Sequence, residues 1–427
     1  GPVHVTRDGG ANWADVTPPS LPADARINII DPSPHDPGTA YVAAFRILMG
    51  DDAPYVYKTD DFGASWTLLT PGDNGIDAET PVRVIREDPD RQGLLNDGTE
   101  FGIYVSLDDV GSWMPFQQNM PATPITDLKV VDGDLYVSTM GRSFWIMDNL
   151  TPLHQMKDGL DTSTAQLLQP RDAYRIRGGG GFYGFGDEAA VRPQNRADGI
   201  MIDYWVPEGL QAGLTLEIVD ATGNVVQTYE GGGGTVRTEQ GQEMRAPFQR
   251  RTGRPGLSTE PGLHRIVWDM SVATESGRGP MALPGEYEVR LHAGDRTQSH
   301  AVELMMDPRV AADGVTMADL REQYDLIMTV SETMARAQSV AQRIGAGVER
   351  ASGAALDDFE ALQARMEDDD VGSYPKPMLL NQLRYLSGMI GRADQKPGRD
   401  AYVRLEQLET ELAEIEAELE RLERLIA

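Results

Sequence analysis

Carboxylates stand in two arrangements with chemical potential. The first is the adjacent pair Asp60 and Asp61 in "YKTDDFGASW" (57–66), just ahead of Gly63 and Trp66. Acidic pairs in tight turns hold cations or move protons, but a calcium ion takes six or more oxygen ligands. A hairpin this short does not supply them, even if Asp60 and Asp109 each add one. The expectation is a turn staple with no metal. The second arrangement is Glu100 with Asp51 or Asp52. A glycosidase needs two carboxyl groups flanking the scissile bond, one as general acid and the other as base or nucleophile. These three residues satisfy the composition, and Arg46, Phe101 and Arg142 lie in the same or matching segments.

Other chemistries lack their residues. There are no cysteines, which removes thiolate metal sites, disulfides and cysteine nucleophiles. The six histidines show no metal-ligand spacing. The glycine-rich "RGGGGFYGFG" (177–186) lacks the strand, helix and Lys-Ser/Thr pair of a phosphate cradle, and reads as a linker whose aromatics dock on a neighbouring domain. No cofactor is implied. A net charge of -29 repels phosphate backbones, so nucleic acid is an unsuitable partner. No apolar run approaches the roughly 18 residues that span a membrane.

The carboxylates sit on a repeat. "VHVTRDGGANW" (3–13), "YKTDDFGASW" (57–66) and "YVSLDDVGSW" (104–113) share one grammar of strand, Thr or Ser, Asp, Gly and Trp. Asp8, Asp61 and Asp108 are its acids and Trp13, Trp66 and Trp113 its anchors, spaced by 53 and 47 residues. Periods near 50 indicate propellers or arrays. Upstream, "INIIDPSPHDPGTAYVAAF" (27–45) and "VRVIREDPDRQGLLNDGTEF" (83–101) each read as a strand, an Asp-Pro turn and a second strand. A partial copy at 127–148 keeps the strands without the acidic turn. Each unit is expected to be a four-stranded antiparallel meander.

This pattern resembles the Asp-box (BNR) β-propellers, and the wording "GTEFGIYVSLDD…GSW" and "STMGRSFWIMDNL" is similar to the sortilin-like BNR-repeat proteins of bacteria often labelled glycosyl hydrolases. The resemblance implies that the box is the hairpin between the third and fourth strands. Its Asp would accept turn N–H groups and its Trp would pack between neighbouring units. It also implies a periplasmic or secreted location. Unlike animal sortilins, the chain lacks a cysteine-rich module after the propeller. Three copies and a partial one do not close a propeller of at least four blades, so the chain is expected to be the C-terminal part of a longer one, with missing N-terminal blades supplied upstream or by another chain.

In a meander, successive hairpins alternate ends, so the loops between strands two and three lie opposite the boxes. "FRILMGDDAP" (45–54), "TEFG" (99–102) and "TMGRS" (139–143) would bring Arg46, Asp51, Asp52, Glu100, Phe101 and Arg142 to one face. Two readings follow. One is a non-catalytic binding or scaffolding protein presenting this face to a protein or glycan; the other is a glycoside hydrolase using Glu100 and an Asp. The sialidase Arg–Ile–Pro signature is absent. Xyloglucanase-like propellers use a carboxylate pair on such a face, but no motif transfers their residues here.

The expected architecture is mainly β with a helical C-terminal domain: propeller blades over 1–150, a glycine-rich linker over 151–197, an immunoglobulin- or fibronectin-like sandwich over 198–310 and a helical bundle over 311–427. The sandwich would bury Leu216, Ile218, Ile266, Trp268, Tyr287, Val289, Leu291, Val302 and Leu304. Its insert over 231–260 reads as a long mobile loop. Thr316 is placed to cap a helix. Leu405, Leu408, Leu412, Ile415, Leu419, Leu422 and Ile426 form a heptad coiled-coil seam. An intramolecular bundle is favoured over homo-oligomerisation through these helices.

Overall fold

A computed structural model describes residues 1–109, 111–157, 159–177, 196–210, 213–232, 256–367 and 376–426. The glycine-rich stretch read as a docking linker, apart from Arg177, and most of the 231–260 insert lie outside the described residues. Two compact units divide the chain, Gly1–Asp161 and Thr162–Ala427.

The first unit is built from antiparallel meanders. A two-stranded hairpin, β1 (His4–Val5) with β2 (Ala14–Asp15), precedes a sheet of β3 (Arg26–Pro32), β4 (Ala40–Arg46), β5 (Asp51–Thr59) and β6 (Thr67–Leu68), ordered by sequence. The next sheet repeats it with β7 (Val82–Glu87), β8 (Leu95–Thr99), β9 (Ile103–Ser106) and β10 (Met114–Pro115). A third has only β11 (Ile125–Val131), β12 (Asp134–Thr139) and β13 (Phe144–Met147), and a short helix α1 (Thr151–Met156) follows.

Alternation along the strands decides how these sheets stack, since successive side chains point to opposite faces. Tyr41, Ala43 and Val56 of the first sheet share a buried cluster with Val82, Ile85 and Leu95 of the second. Val84, Ile103 and Val105, from the second sheet's other face, are buried with Ile125, Leu128, Leu135 and Val137 of the third. At Gly98 the second and third sheets approach so closely that a Cβ would stand 2.6 Å from both Ile125 and Val84. Face-to-face stacking of successive meanders is the arrangement of propeller blades.

The second unit holds two sheets over one core. β14 (Gln166–Leu167), β16 (Ile200–Val206) and β19 (Gly262–Trp268) form one, in the order β14-β16-β19. The other runs β15-β23-β22-β17-β18, from β15 (Ala173–Arg175), β17 (Leu214–Asp220), β18 (Val225–Glu230), β22 (Gly285–Ala293) and β23 (Arg296–Met306). A separate pair joins β20 (Ser271–Thr274) to β21 (Gly277–Met281). All nine residues expected to face the sandwich interior are buried in one cluster, with Trp268 edge-on to Tyr287 at 5.0 Å. The stretch read as a linker differs from its reading: β14 and β15 join the sheets, and β15 pairs in parallel with β23. Two- and three-residue strands leave no alternation to see in sequence.

Helices close this unit: α2 (Pro308–Ala312), α3 (Met317–Arg350), α4 (Ala354–Met366), α5 (Leu379–Ile390) and α6 (Arg399–Ile426). Thr316 caps α3, its hydroxyl accepting the Asp319 N–H while Asp319 reaches back to the Thr316 N–H. Leu405, Leu408, Leu412, Ile415, Leu419 and Leu422 of α6 are buried with residues of α3, α4 and α5 in one cluster, and Ile426 packs at its edge. The heptad seam is thus occupied within the chain.

Candidate functional site

Each acidic hairpin is held by its own carboxylate. Asp61 accepts the Ser65 N–H at 2.8 Å and the Ser65 hydroxyl at 2.6 Å, and Thr59 Oγ1 donates to it at 2.9 Å while accepting the Gly63 N–H. Asp8 repeats this with Asn12 and Thr6, and Asp108 with Ser112, Gly111 and Ser106. The N–H of Asn12 holds the Asp8 carboxyl below its usual range, and the Ser65 hydroxyl does the same for Asp61. At Asp108 burial pushes upward, but the Ser112 N–H and Ser106 hydroxyl outweigh it. Such groups support the folded state above the ordinary carboxylate pKa and lose that support as pH falls through the lowered one.

Gly63 sits at φ 87°, and a Cβ there would come within 2.5 Å of Val16 Cβ. Gly63→Ala is therefore expected to cost about 1–2 kcal/mol for the left-handed backbone alone, before Val16 moves. Thermal unfolding followed by near-UV circular dichroism checks this; an unchanged midpoint would contradict it.

The companion acids face a cation. Lys58 Nζ stands 2.7 Å from Asp109 and 3.0 Å from Asp60, the Tyr41 hydroxyl donates to Asp109 and Thr39 to Asp60. This network joins the first two full sheets. Among the described residues, no group of three or more His, Asp or Glu is placed to hold a metal ion.

The tryptophans divide. Trp66 donates its indole N–H to Val16 O at 2.7 Å and Trp113 to Leu69 O at 3.1 Å, each a carbonyl just beyond the fourth strand of the preceding unit. Trp13, expected to pack between units as well, is instead 62% exposed. Among the described residues no unit precedes β1 and β2 to receive it.

At the opposite rim, the loops between strands two and three carry the remaining candidates. Asp51 is paired with Arg46 at 2.5 Å and accepts the Tyr55 hydroxyl at 2.9 Å. Burial raises its carboxyl pKa, but Arg46 and Tyr55 bring the balance below the usual range. Glu100 pairs with Arg83 at 2.5 Å and is mostly covered. The reason is register: Val82 lies opposite Thr99, so Arg83 and Glu100 flank the same end of the β7–β8 pair. Asp52 and Arg142 are exposed.

Two rim features escape the sequence reading. Thr99 accepts the N–H groups of Phe101 and Gly102, and Thr139 accepts that of Arg142, so a threonine ending the second strand tightens each turn. A threonine followed by a glycine two or three places on, as in Thr99-Glu100-Phe101-Gly102 and Thr139-Met140-Gly141, is the signal for it. The tightened turns, with the short 3₁₀ turn Ile47–Met49, push apolar tips outward. Leu48 is 86% and Phe101 57% exposed, and Met49 and Met140 are exposed as well. Phe45, below the tips, has the Arg26 and Arg83 guanidinium groups at 5.8 and 5.7 Å from its ring.

No protein-family profile matches the sequence, and no curated protein matches it. Solved structures that resemble it include a YCF48 protein bound to D1 peptide, at 20% identity and TM-score 0.23 over 35% of this chain and 47% of that one. A GH74 xyloglucanase from Xanthomonas campestris matches at 12% identity and TM-score 0.28, over 69% of this chain and 51% of the other. The Niastella koreensis GH74 enzyme gives 10% and 0.24, over 65% and 38%. The chain thus spans about half or less of each of these proteins. Likeness at this level carries no weight for activity or ligand, and the blade-like stacking rests on the sheets themselves.

Proposed function

We propose that the chain belongs to an extracytoplasmic binding or scaffolding protein of the Asp-box, sortilin-like kind, which holds a protein partner on the rim opposite its acidic hairpins. The supporting observation is that Leu48, Met49, Phe101 and Met140 stand in solvent at the tips of three successive hairpins. Large apolar side chains clustered in loops on a rigid β scaffold mark interaction sites. Leucine and methionine suit apolar side chains of a protein better than sugar rings, which stack on aromatic faces. In the second unit, two sheets sharing a core agree with an immunoglobulin- or fibronectin-like module acting as a spacer.

The hydrolase reading requires an acid and a base free to reach a glycosidic oxygen. Asp51 and Glu100 are each committed to a guanidinium instead. A peptide array and a glycan array, both probed with the 427-residue chain, separate the readings. Binding to peptides with apolar anchors is expected, and Leu48→Ser, Phe101→Ser and Met140→Ser together should weaken it on the order of a hundredfold. Undiminished peptide binding by this triple variant would refute the assignment of the rim. Glycan cleavage that disappears in Glu100→Gln would install the hydrolase.

A further inference from the structure

The third sheet has one face with no counterpart elsewhere in the stack. In the first sheet, Tyr41 and Ala43 of the second strand are covered by β7 and β8. The second sheet's corresponding face, around Gly98, is covered by β11. By the same alternation Leu135 and Val137 of β12 point back to the second sheet, and Tyr136 and Ser138 point onward. Tyr136 lies across from Ile146, and Ser138 from Phe144. These onward residues are open: Tyr136 is 42%, Ile146 53% and Phe144 81% exposed. A concavity of about 410 Å³ lies over them, flanked by Asp127 and Lys129.

The other end of the stack is open in a matching way. β1 and β2 flank the Asp8 box as β5 and β6 flank the Asp61 box, so they are the third and fourth strands of a meander. No first and second strands for that meander exist among the described residues. Trp13 also lacks the carbonyl that Trp66 and Trp113 each find in the unit before them.

We propose that the onward face of the β11–β13 sheet docks another Asp-box meander blade, carried by polypeptide that precedes β1 in the same protein. One set of blades then serves both open ends: its first blade covers Tyr136, Phe144 and Ile146, and its last supplies the strands beside β1 and the carbonyl for Trp13. A second copy of this chain fits less well. The body it would set against Trp13 is its own β11–β13 sheet, which has no fourth strand and therefore no carbonyl at the required place. The covering blade should present aliphatic residues on one face of its first strand, as Val82 and Ile85 do in β7 and Ile125 and Leu128 in β11, each pair spanning a β-bulge.

The chain has no cysteine, so an introduced thiol reports accessibility cleanly. Ile146→Cys and Trp13→Cys would be made separately in the 427-residue chain and in the full product of its reading frame, then labelled with a maleimide under native conditions. Both thiols are expected to react freely in the shorter chain and at least an order of magnitude more slowly in the longer one. Equal labelling in the two proteins overturns the proposal, as does a reading frame with no residues before Gly1. Slow labelling of the shorter chain also overturns it, with a dimer mass by light scattering assigning the face to a second copy and a monomer mass assigning it to this chain's own residues. Tyr136→Cys replaces Ile146→Cys if the latter misfolds, judged by far-UV circular dichroism.

Discussion

Asp394→Ala is expected to destabilise the second unit by about 3–5 kcal/mol, because it leaves two guanidinium groups without their counter-charge. Asp394 is almost fully covered and sits 2.5 Å from both Arg175 Nη1 and Arg177 Nε. Arg175 is itself buried; burial lowers its pKa and the Asp394 charge works against that shift. The Arg175 contact is close but not aligned as a hydrogen bond, so its attraction is chiefly Coulombic. Arg177 also donates to Gly391 O, and Arg175 Nε donates to Ala282 O at 2.8 Å. The group therefore ties β15 both to the loop after α5 and to the segment before β22. Urea denaturation followed by far-UV circular dichroism measures the loss. A change within about 0.5 kcal/mol, the range of ordinary surface substitutions, would show that solvent already screens the pair. Removing all three charges together, as Arg175→Met, Arg177→Met and Asp394→Leu, should cost much less than Asp394→Ala alone.

Asp97→Asn is expected to act in the opposite direction and to stabilise the first unit at neutral pH, on the order of 3 kcal/mol, the scale of a buried charged group left unpaired. Asp97 is fully buried in β8 and neither carboxylate oxygen has a hydrogen-bond partner. Burial pushes its pKa well above the ordinary carboxylate value. The sign follows from linkage: an acid whose folded pKa is raised weighs nothing against folding below its unfolded pKa. It costs progressively more as pH rises toward the folded pKa, where the penalty levels off. The difference between Asp97→Asn and the parent should thus be small near pH 4 and grow toward pH 8. Denaturant midpoints at the two pH values test this. A variant less stable than the parent at pH 8 would mean that the carboxylate has a partner that ionisation strengthens.

Much of the first unit is legible because its contacts are local. In the Asp61 box every bond to the carboxylate joins residues within four positions, so Thr, Asp, Gly and Ser at fixed offsets specify the hairpin before anything else folds. The α6 heptads are legible for a related reason, since a helix turns its own period into a stripe. Trp13 shows where this ends: it has the same local grammar as Trp66, yet only Trp66 has a unit in front of it.

The candidate site was less legible. Sequence alone assembled Asp51, Glu100 and Arg142 at one rim from hairpin alternation, but Glu100 takes its cation from Arg83, across a strand pair whose register the local pattern does not reveal. Nothing in the sequence marks Leu48 and Met140 as exposed tips, because exposure belongs to the surface and not to the residue type.

Composition and spacing by themselves determined the repeat, the staples within each acidic hairpin and the amphipathic helices, since each depends on residues a few positions apart. Only the tertiary structure decided which carboxylates are neutralised by arginine, which one is buried without a partner and which sheet face stays open. Desolvation and Coulomb energy depend on neighbours in space, and Asp394 meets Arg175 across 219 positions of chain.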